Sequence, residues 1–341
     1  MVDGAISGIL SPGTYSDLIA SLLRRNYGVV AASTGVSVTI AGAGPTFTVT
    51  RAAGSYLTDG YKIGMVIRLS VGALNAANIN KNLLITNVTA LVATVMPLNG
   101  AALFVEGPII TTTITAIGKS TFVPITAHTN DYYTFELWHS DVPSSERSLD
   151  VQMATASFKL PGTGNAMIDI TAIGLNQTRD AAVYFTAPVA ESVTESLVAA
   201  SGLLLVQGSA IAIVTDLSFD VAGDVNAADG VVGSDIRPDV FRGKVTVKGS
   251  FTAYFDSGVI PAYFADETDV SILSALANGT SAVADFMTIS LPKVSLTSDD
   301  PDDGETGLKR TYAFTAEYFS AGGAALSHQQ STIQICDSQA L

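Results

Sequence analysis

The chain has 341 residues, 48% of them hydrophobic and only 14% charged, with a formal net charge of −14. That length allows two or three domains with a core in each, the apolar share excludes disorder, and no apolar run is long enough to cross a membrane as a helix. The acidic balance excludes a grip on nucleic acid, which depends on lysine and arginine displacing counterions, yet it suits a passage through which DNA slides without sticking.

The start, MVDGAISGILSPG, has neither the basic stretch nor the apolar run of a secretory signal, so folding in the cytoplasm is expected. The first predicted element is a helix over 14–25. Tyr15, Leu18, Ile19, Leu22 and Leu23 form one apolar stripe, Thr14 and Asp17 resemble a cap, Arg24 and Arg25 suit the carbonyl end, and Gly28 marks the stop. Beyond it come short alternating runs at 36–40, 46–50, 61–69 and 82–95, separated by glycine- and asparagine-rich turns. In the third run, Tyr61, Ile63, Met65, Ile67 and Leu69 share one face, while Lys62, Gly64 and Arg68 take the other. These runs predict a small inserted β-barrel or sandwich over 29–119 that projects outward.

Two larger β regions follow, which together with the N-terminal helix define halves at 1–28 with 120–210, and at 211–341. Each half has a strand bearing an aromatic (Phe135 or Phe219), a polar excursion with an arginine (Arg147 or Arg237), and a long strand with a phenylalanine (Phe158 or Phe251). The unit SGILSPGTYSDLIASLLRRNYG at 7–28 also has a counterpart, SGVIPAYFADETDVSILSALANG at 257–279, read as a second short helix over 266–277. An internal duplication is the reading that joins these observations. In the strand 244–255, Val245, Val247, Phe251 and Ala253 alternate with Lys244, Thr246, Lys248, Ser250 and Thr252, so one side is buried and the other wet. The fold class is therefore mainly β: antiparallel sandwich or barrel domains, each flanked by a short helix, plus the inserted small β domain.

Catalytic chemistry finds few residues to work with. The histidines are His128, His139 and His328, no nucleophile elbow is present, and the single cysteine, Cys336, falls in a C-terminal tail expected to be mobile. Neither an enzyme nor a cofactor is expected. DVNAADGVVGSD at 224–235 offers Asp224, Asn226 and Asp235 as candidate metal ligands at the first, third and twelfth places of a calcium loop. Ala228 at the fifth place and Asp229 at the sixth, where glycine makes the turn, break the pattern, so a solvated turn is expected. SDDPDDGETG at 298–307 concentrates five acidic residues and is read as a solvated loop. The sequons at Asn87, Asn176 and Asn278 carry no weight without a secretory signal.

SGILSPGTYSDLIASLLRR, GSDIRPDVFRGKVTVKGSFTAYFDSG, ADETDVSILSALANG and LKRTYAFTAEYF, in that order, are similar to the major tail tube proteins of long-tailed bacteriophages. The resemblance covers about 1–28 and 120–325. It implies a non-enzymatic virion protein, assembled in the host cytoplasm, whose sandwiches join into rings and whose rings stack into the conduit for genome ejection, with other tail proteins at the tube ends. If the tube domain is duplicated, three chains complete a ring of pseudo-sixfold symmetry; if not, six do. On this reading Lys244, Thr246, Lys248, Ser250 and Thr252 are inner-sheet candidates facing the lumen. The excursions 139–148 and 220–239 are ring-to-ring candidates, through Asp141, Glu146, Arg147, Asp224, Asp235 and Arg237. An adhesin-type surface-binding protein is the alternative, since it too would be β-rich and acidic, although its aromatics would cluster in a groove.

Overall fold

The computed structural model describes residues 2–189, 192–210, 214–233, 237–255, 258–302 and 307–341. In chain order β1 (Val2–Ile9) leads to α1 (Ser16–Leu23). The inserted strands are β2 (Ser33–Ala43), β3 (Thr46–Arg51), β4 (Val66–Ser70), β5 (Leu83–Val88), β6 (Val92–Pro97) and β7 (Glu106–Ile117). Next come β8 (Lys119–Phe122), β9 (Tyr133–His139), β10 (Ser144–Pro161), β11 (Met167–Gly174), β12 (Asn176–Asp180), β13 (Val198–Val206), β14 (Ser209–Ala210) and β15 (Val214–Ala222). The remainder is β16 (Val225–Ala227), β17 (Val240–Arg242), β18 (Thr246–Tyr254), α2 (Val259–Ala265), β19 (Val270–Ala277), β20 (Phe286–Leu296), β21 (Asp300–Asp302), β22 (Lys309–Ala316) and β23 (Gln334–Asp337). All strand pairing between these elements is antiparallel, and the fold is mainly β, as the alternation requires.

The main sheet runs β1-β11-β10-β15-β18-β22-β20-β19-β13-β14. Between β22 and β20 only three residue pairs meet, Val294 to Ala316 through Leu296 to Phe314, so the sheet folds over at this corner and packs on itself. Phe158, Phe219, Phe251 and Phe314 from one layer pack with Leu204, Ile272, Ile289 and Leu291 from the other, and Ile19, Leu22 and Leu23 of α1 join the same core. Phe158 and Phe219, directly paired across β10 and β15, stack with centroids 4.8 Å apart. Gly249 makes this packing possible. A Cβ there would lie 2.4 Å from the Ser218 carbonyl oxygen and 2.7 Å from the Phe314 ring.

The insertion closes into a barrel in the order β2-β3-β6-β5-β4-β7 with its own core, including Ile40, Phe47, Val49, Tyr61, Ile67 and Leu83. Its stem is pinched by reciprocal backbone bonds of 2.9 Å between Gly28 and Ser120. A further apolar cluster joins barrel to sandwich: Val66, Leu84 and Met96 meet Leu205, Leu273, Ala275, Phe286 and Cys336.

Several expectations need correction. The second helix is not at 266–277. Most of that stretch, Val270–Ala277, is β19, paired on one side with β20 and on the other with β13 and buried along nearly its whole length, while the helix occupies Val259–Ala265. A strand covered on both faces carries a continuous apolar run, which periodicity cannot separate from a buried helix. At the first helix, Tyr15 stands at the N-cap without a side-chain cap, since the Thr14 hydroxyl bonds Ser11 instead at 2.8 Å. The helix ends at Arg24, which takes the left-handed conformation, four residues before Gly28. The run 82–95 is a hairpin, β5 and β6, turned at Thr89.

In the run 61–69 only Val66 onward is strand, and Lys62, placed on the wet face by alternation, is 1% exposed. Its ammonium donates to the carbonyl oxygens of Gly323 (2.7 Å), Ala324 (2.7 Å) and Leu326 (2.5 Å), clasping the barrel to the loop after β22. Cys336 is not in a mobile tail. It is 2% exposed in β23, which pairs with β20 on one side and β8 on the other. Asp300–Asp302, expected in a solvated loop, forms β21 on the outer edge of β22.

Candidate assembly surfaces

The six strands from β1 to β22 present apolar side chains inward and mostly short polar ones outward, with Ile9 and Met167 as apolar exceptions at one end. Register places the inner-sheet candidates Thr246, Lys248, Ser250 and Thr252 on that outward side, opposite Ala222, Asp220, Ser218 and Asp216 of β15. On the other flank Ser250 faces Ala313 and Thr252 faces Thr311, with the two threonine hydroxyls 2.9 Å apart. Lys244 lies two residues before β18 and is exposed. Farther along, Thr155, Ser157 and Lys159 of β10 face Thr171, Asp169 and Met167 of β11, which face Ala5, Ser7 and Ile9 of β1.

The charges on this face are set against one another. Lys159 lies 2.8 Å from Asp169; that contact holds the Asp169 carboxyl below its ordinary value and the Lys159 ammonium above its own. Lys248 stands directly across from Asp220. The result is a broad surface of threonine, serine and alanine in which lysine and aspartate largely offset each other, with little to hold a polyanion.

At its edge, β1 pairs among the described residues only with β11, in unbroken register from Val2–Gly174 to Ile9–Met167. Every second residue therefore turns its backbone N–H and C=O away from the sheet. Asp3 is the only charged residue in β1, and neither proline nor a bulge blunts the edge, so it is an open template for another strand. Beside it lies a largely apolar slot of about 340 Å³ between Val2, Gly4 and Ile6 on one side and Phe135 and Leu137 of β9 on the other.

From Thr155, where β10 leaves β15, back to Ser144 the strand runs on as an arm, flanked by β9 and β12. The excursion expected at 139–148 is thus mostly regular hairpin. Asp141 sits in its turn and is exposed. Glu146 pairs with Arg179 at 3.0 Å, and Arg147 reaches Asp180 at 3.7 Å while lying over the Tyr184 ring at 4.7 Å. In the second excursion, Asp224 has a positive φ of 47° and accepts from the Asn226 amide at 3.2 Å; Arg237 donates to the Ala228 carbonyl at 2.9 Å. Asp235 lies outside the described residues. The two excursions thus leave the sheet at the same end, where β15 and β22 finish and β18 begins, and both arginines are engaged by their own chain.

Among the described residues no group of three or more His, Cys, Asp and Glu could hold a metal ion, and no helix is long and apolar enough to cross a membrane. What the sequence reading missed is the open edge of β1, since SGI was absorbed into the helix unit; the small, uncharged run VDGAISGI was the available signal. No curated protein matches the chain. The family model described as phage tail tube protein matches residues 1–316. These are the sheet face, edge and arm available for assembly, and on the family match the chain belongs to the phage tail tube proteins, structural components of the virion tail.

Proposed function

We propose that this chain closes into rings by pairing the β1 edge with the sheet of a neighbouring copy, and that the rings stack into the hollow tube through which the genome leaves. The observation that carries this reading is the outward face of β1 to β22, whose short polar side chains and offset charges continue right up to an unprotected edge. Joined edge to edge, such sheets form a cylinder whose lumen is wet, smooth and nearly neutral, so DNA passes without specific binding. Thr246, Lys248, Ser250 and Thr252 then line the lumen. Asp141, Glu146, Arg147, Asp224 and Arg237 lie on the end that meets the next ring. Other tail proteins cover the tube ends, and assembly takes place in the host cytoplasm.

A ring of three chains with pseudo-sixfold symmetry follows if the halves 1–28 with 120–210 and 211–341 are copies of one tube domain. What supports it is the part of the plan without the second helix, an aromatic strand, an excursion with an arginine and a long strand with a phenylalanine in each half, and the barrel over 29–119 then projects outward. Electron microscopy of the purified protein tests the reading: annular or tubular particles with a central channel are expected. Only compact single subunits at high concentration would refute it. Averaging the rings distinguishes true sixfold order, which rejects duplication, from threefold.

A further inference from the structure

A cavity of about 450 Å³ opens at the arm end of the sheet, between the C-terminus of α1, the segment before β18 and the segment after β22. Arg24, His128 and Lys244 line it with Tyr318 and Thr332, on walls that include Val123 and Val245, and none of its lining residues is acidic. This is unusual in a chain with 31 acidic and 17 basic residues. Arg24 is 9% exposed and gives one guanidinium nitrogen to the Gly223 carbonyl at 2.8 Å. Burial and then the nearby charge of Arg242 make Arg24 easier to deprotonate than usual, partly offset by Asp224. Such a site gains from a carboxylate arriving from outside. His128 and Lys244 are exposed, and among the described residues neither makes an ion pair.

The opposite end of the same strands presents two exposed carboxylates, Asp300 and Asp302. The β21–β22 hairpin pairs Asp300 with Thr311 and Asp302 with Lys309. Asp300 and Asp302 are exposed and, among the described residues, form no ion pair, whereas Asp299 is tied to Arg310 at 2.5 Å. Tyr318 follows the end of β22 by two residues and Lys244 precedes β18 by two, so cavity and hairpin sit above and below the same pair of strands. A strand of nine residues spans about 30 Å. A shift of roughly that height along the strands brings the hairpin of one copy over the cavity of the next.

We propose that Asp300 and Asp302, on the exposed strand β21 of one copy, meet the Arg24–His128–Lys244 cavity of a second copy, head to tail. The contact deepens the stacking reading above and rests on it. It uses two different patches, and because the displacement runs along the strands the contact repeats as an open filament. Copies of net charge −14 repel one another, and a cationic socket with apolar walls supplies attraction where screening is weakest.

The test is a charge swap on the full chain, with ring formation followed by sedimentation and tube length by electron microscopy. Lys244→Glu, His128→Glu and the pair Asp300→Lys with Asp302→Lys should each leave rings intact and raise the concentration needed for tube growth at least about tenfold. Lys244→Glu combined with Asp300→Lys and Asp302→Lys should recover growth, while Lys81→Glu, the same charge change on the barrel, should behave as wild type. Tubes of normal length from the single swaps, or no recovery in the combination, overturn the contact and leave the ring reading standing. A wild-type chain that never associates overturns both.

Discussion

Lys62 shows how far a single side chain can depart from what alternation assigns it. Among the described residues its ammonium is buried without a carboxylate partner and spends its three protons on three carbonyl oxygens of one loop, between a barrel and a sandwich that come from distant parts of the chain. Nothing in YKIGMVIRL announces this, because the acceptors are backbone groups some 260 residues away. Lys62→Met keeps the stem and leaves the carbonyls unpaired, and should cost about 2 to 3 kcal/mol in urea unfolding. An unchanged midpoint would show that water replaces the ammonium without loss. Beside it His328 sits edge-on to Phe319 at 5.2 Å, and burial, then Lys62, lowers its pKa to about 4. The unfolded imidazole takes its proton near pH 6.5 and the folded one only near 4. The unfolded state binds more protons in that window, so stability is fully present above about 6.5 and falls as pH drops toward 4. The loss should be on the order of 1 to 3 kcal/mol, read as the difference between wild type and His328→Gln in melts at pH 7.5 and 4.5. Parallel melts for the two proteins would contradict it.

At the level of elements, strands with one wet face were legible and strands with none were not. VTVKGSFTAY alternates because β18 has water on one side, and its expected bounds differ from the observed ones by two residues at one end and one at the other. SILSALA does not alternate because β19 is buried against both the sandwich core and the barrel contact, so its apolar run passed for a helix. The open edge of β1 escaped notice for a different reason. Pairing on one side only is a property of topology, and residues record it merely as an absence of bulk and charge. Element packing also yields a sharp test at Gly249. Gly249→Ala forces a methyl group against the Ser218 carbonyl and the Phe314 ring, neither of which has room to retreat, and should cost more than about 3 kcal/mol or abolish soluble expression. Gly230→Ala, with open space around it, should stay within about 0.5 kcal/mol. Equal melting temperatures for the two variants would refute the packing argument.

For the whole molecule, the charges read as a sum from composition acquire places: exposed aspartates on β21, a cationic cavity among the acidic residues of the arm end, and a nearly offset face between. Composition gives the sum of charges and no positions, which is why the cavity could not be read beforehand. If neighbours complete the sheet, folding and association are linked, and the apparent melting temperature should climb with protein concentration. Calorimetry over a hundredfold concentration range checks this; a constant value would mean that each subunit is already complete alone.

The pinched stem of the barrel has a practical consequence. Because Gly28 and Ser120 already bond to each other, the two ends of the inserted segment stand side by side, as the ports of an exchangeable cassette would. A foreign domain with adjacent termini could be grafted there for display, provided it brings a cover for Leu273, Ala275 and Phe286, or those positions are made polar to match.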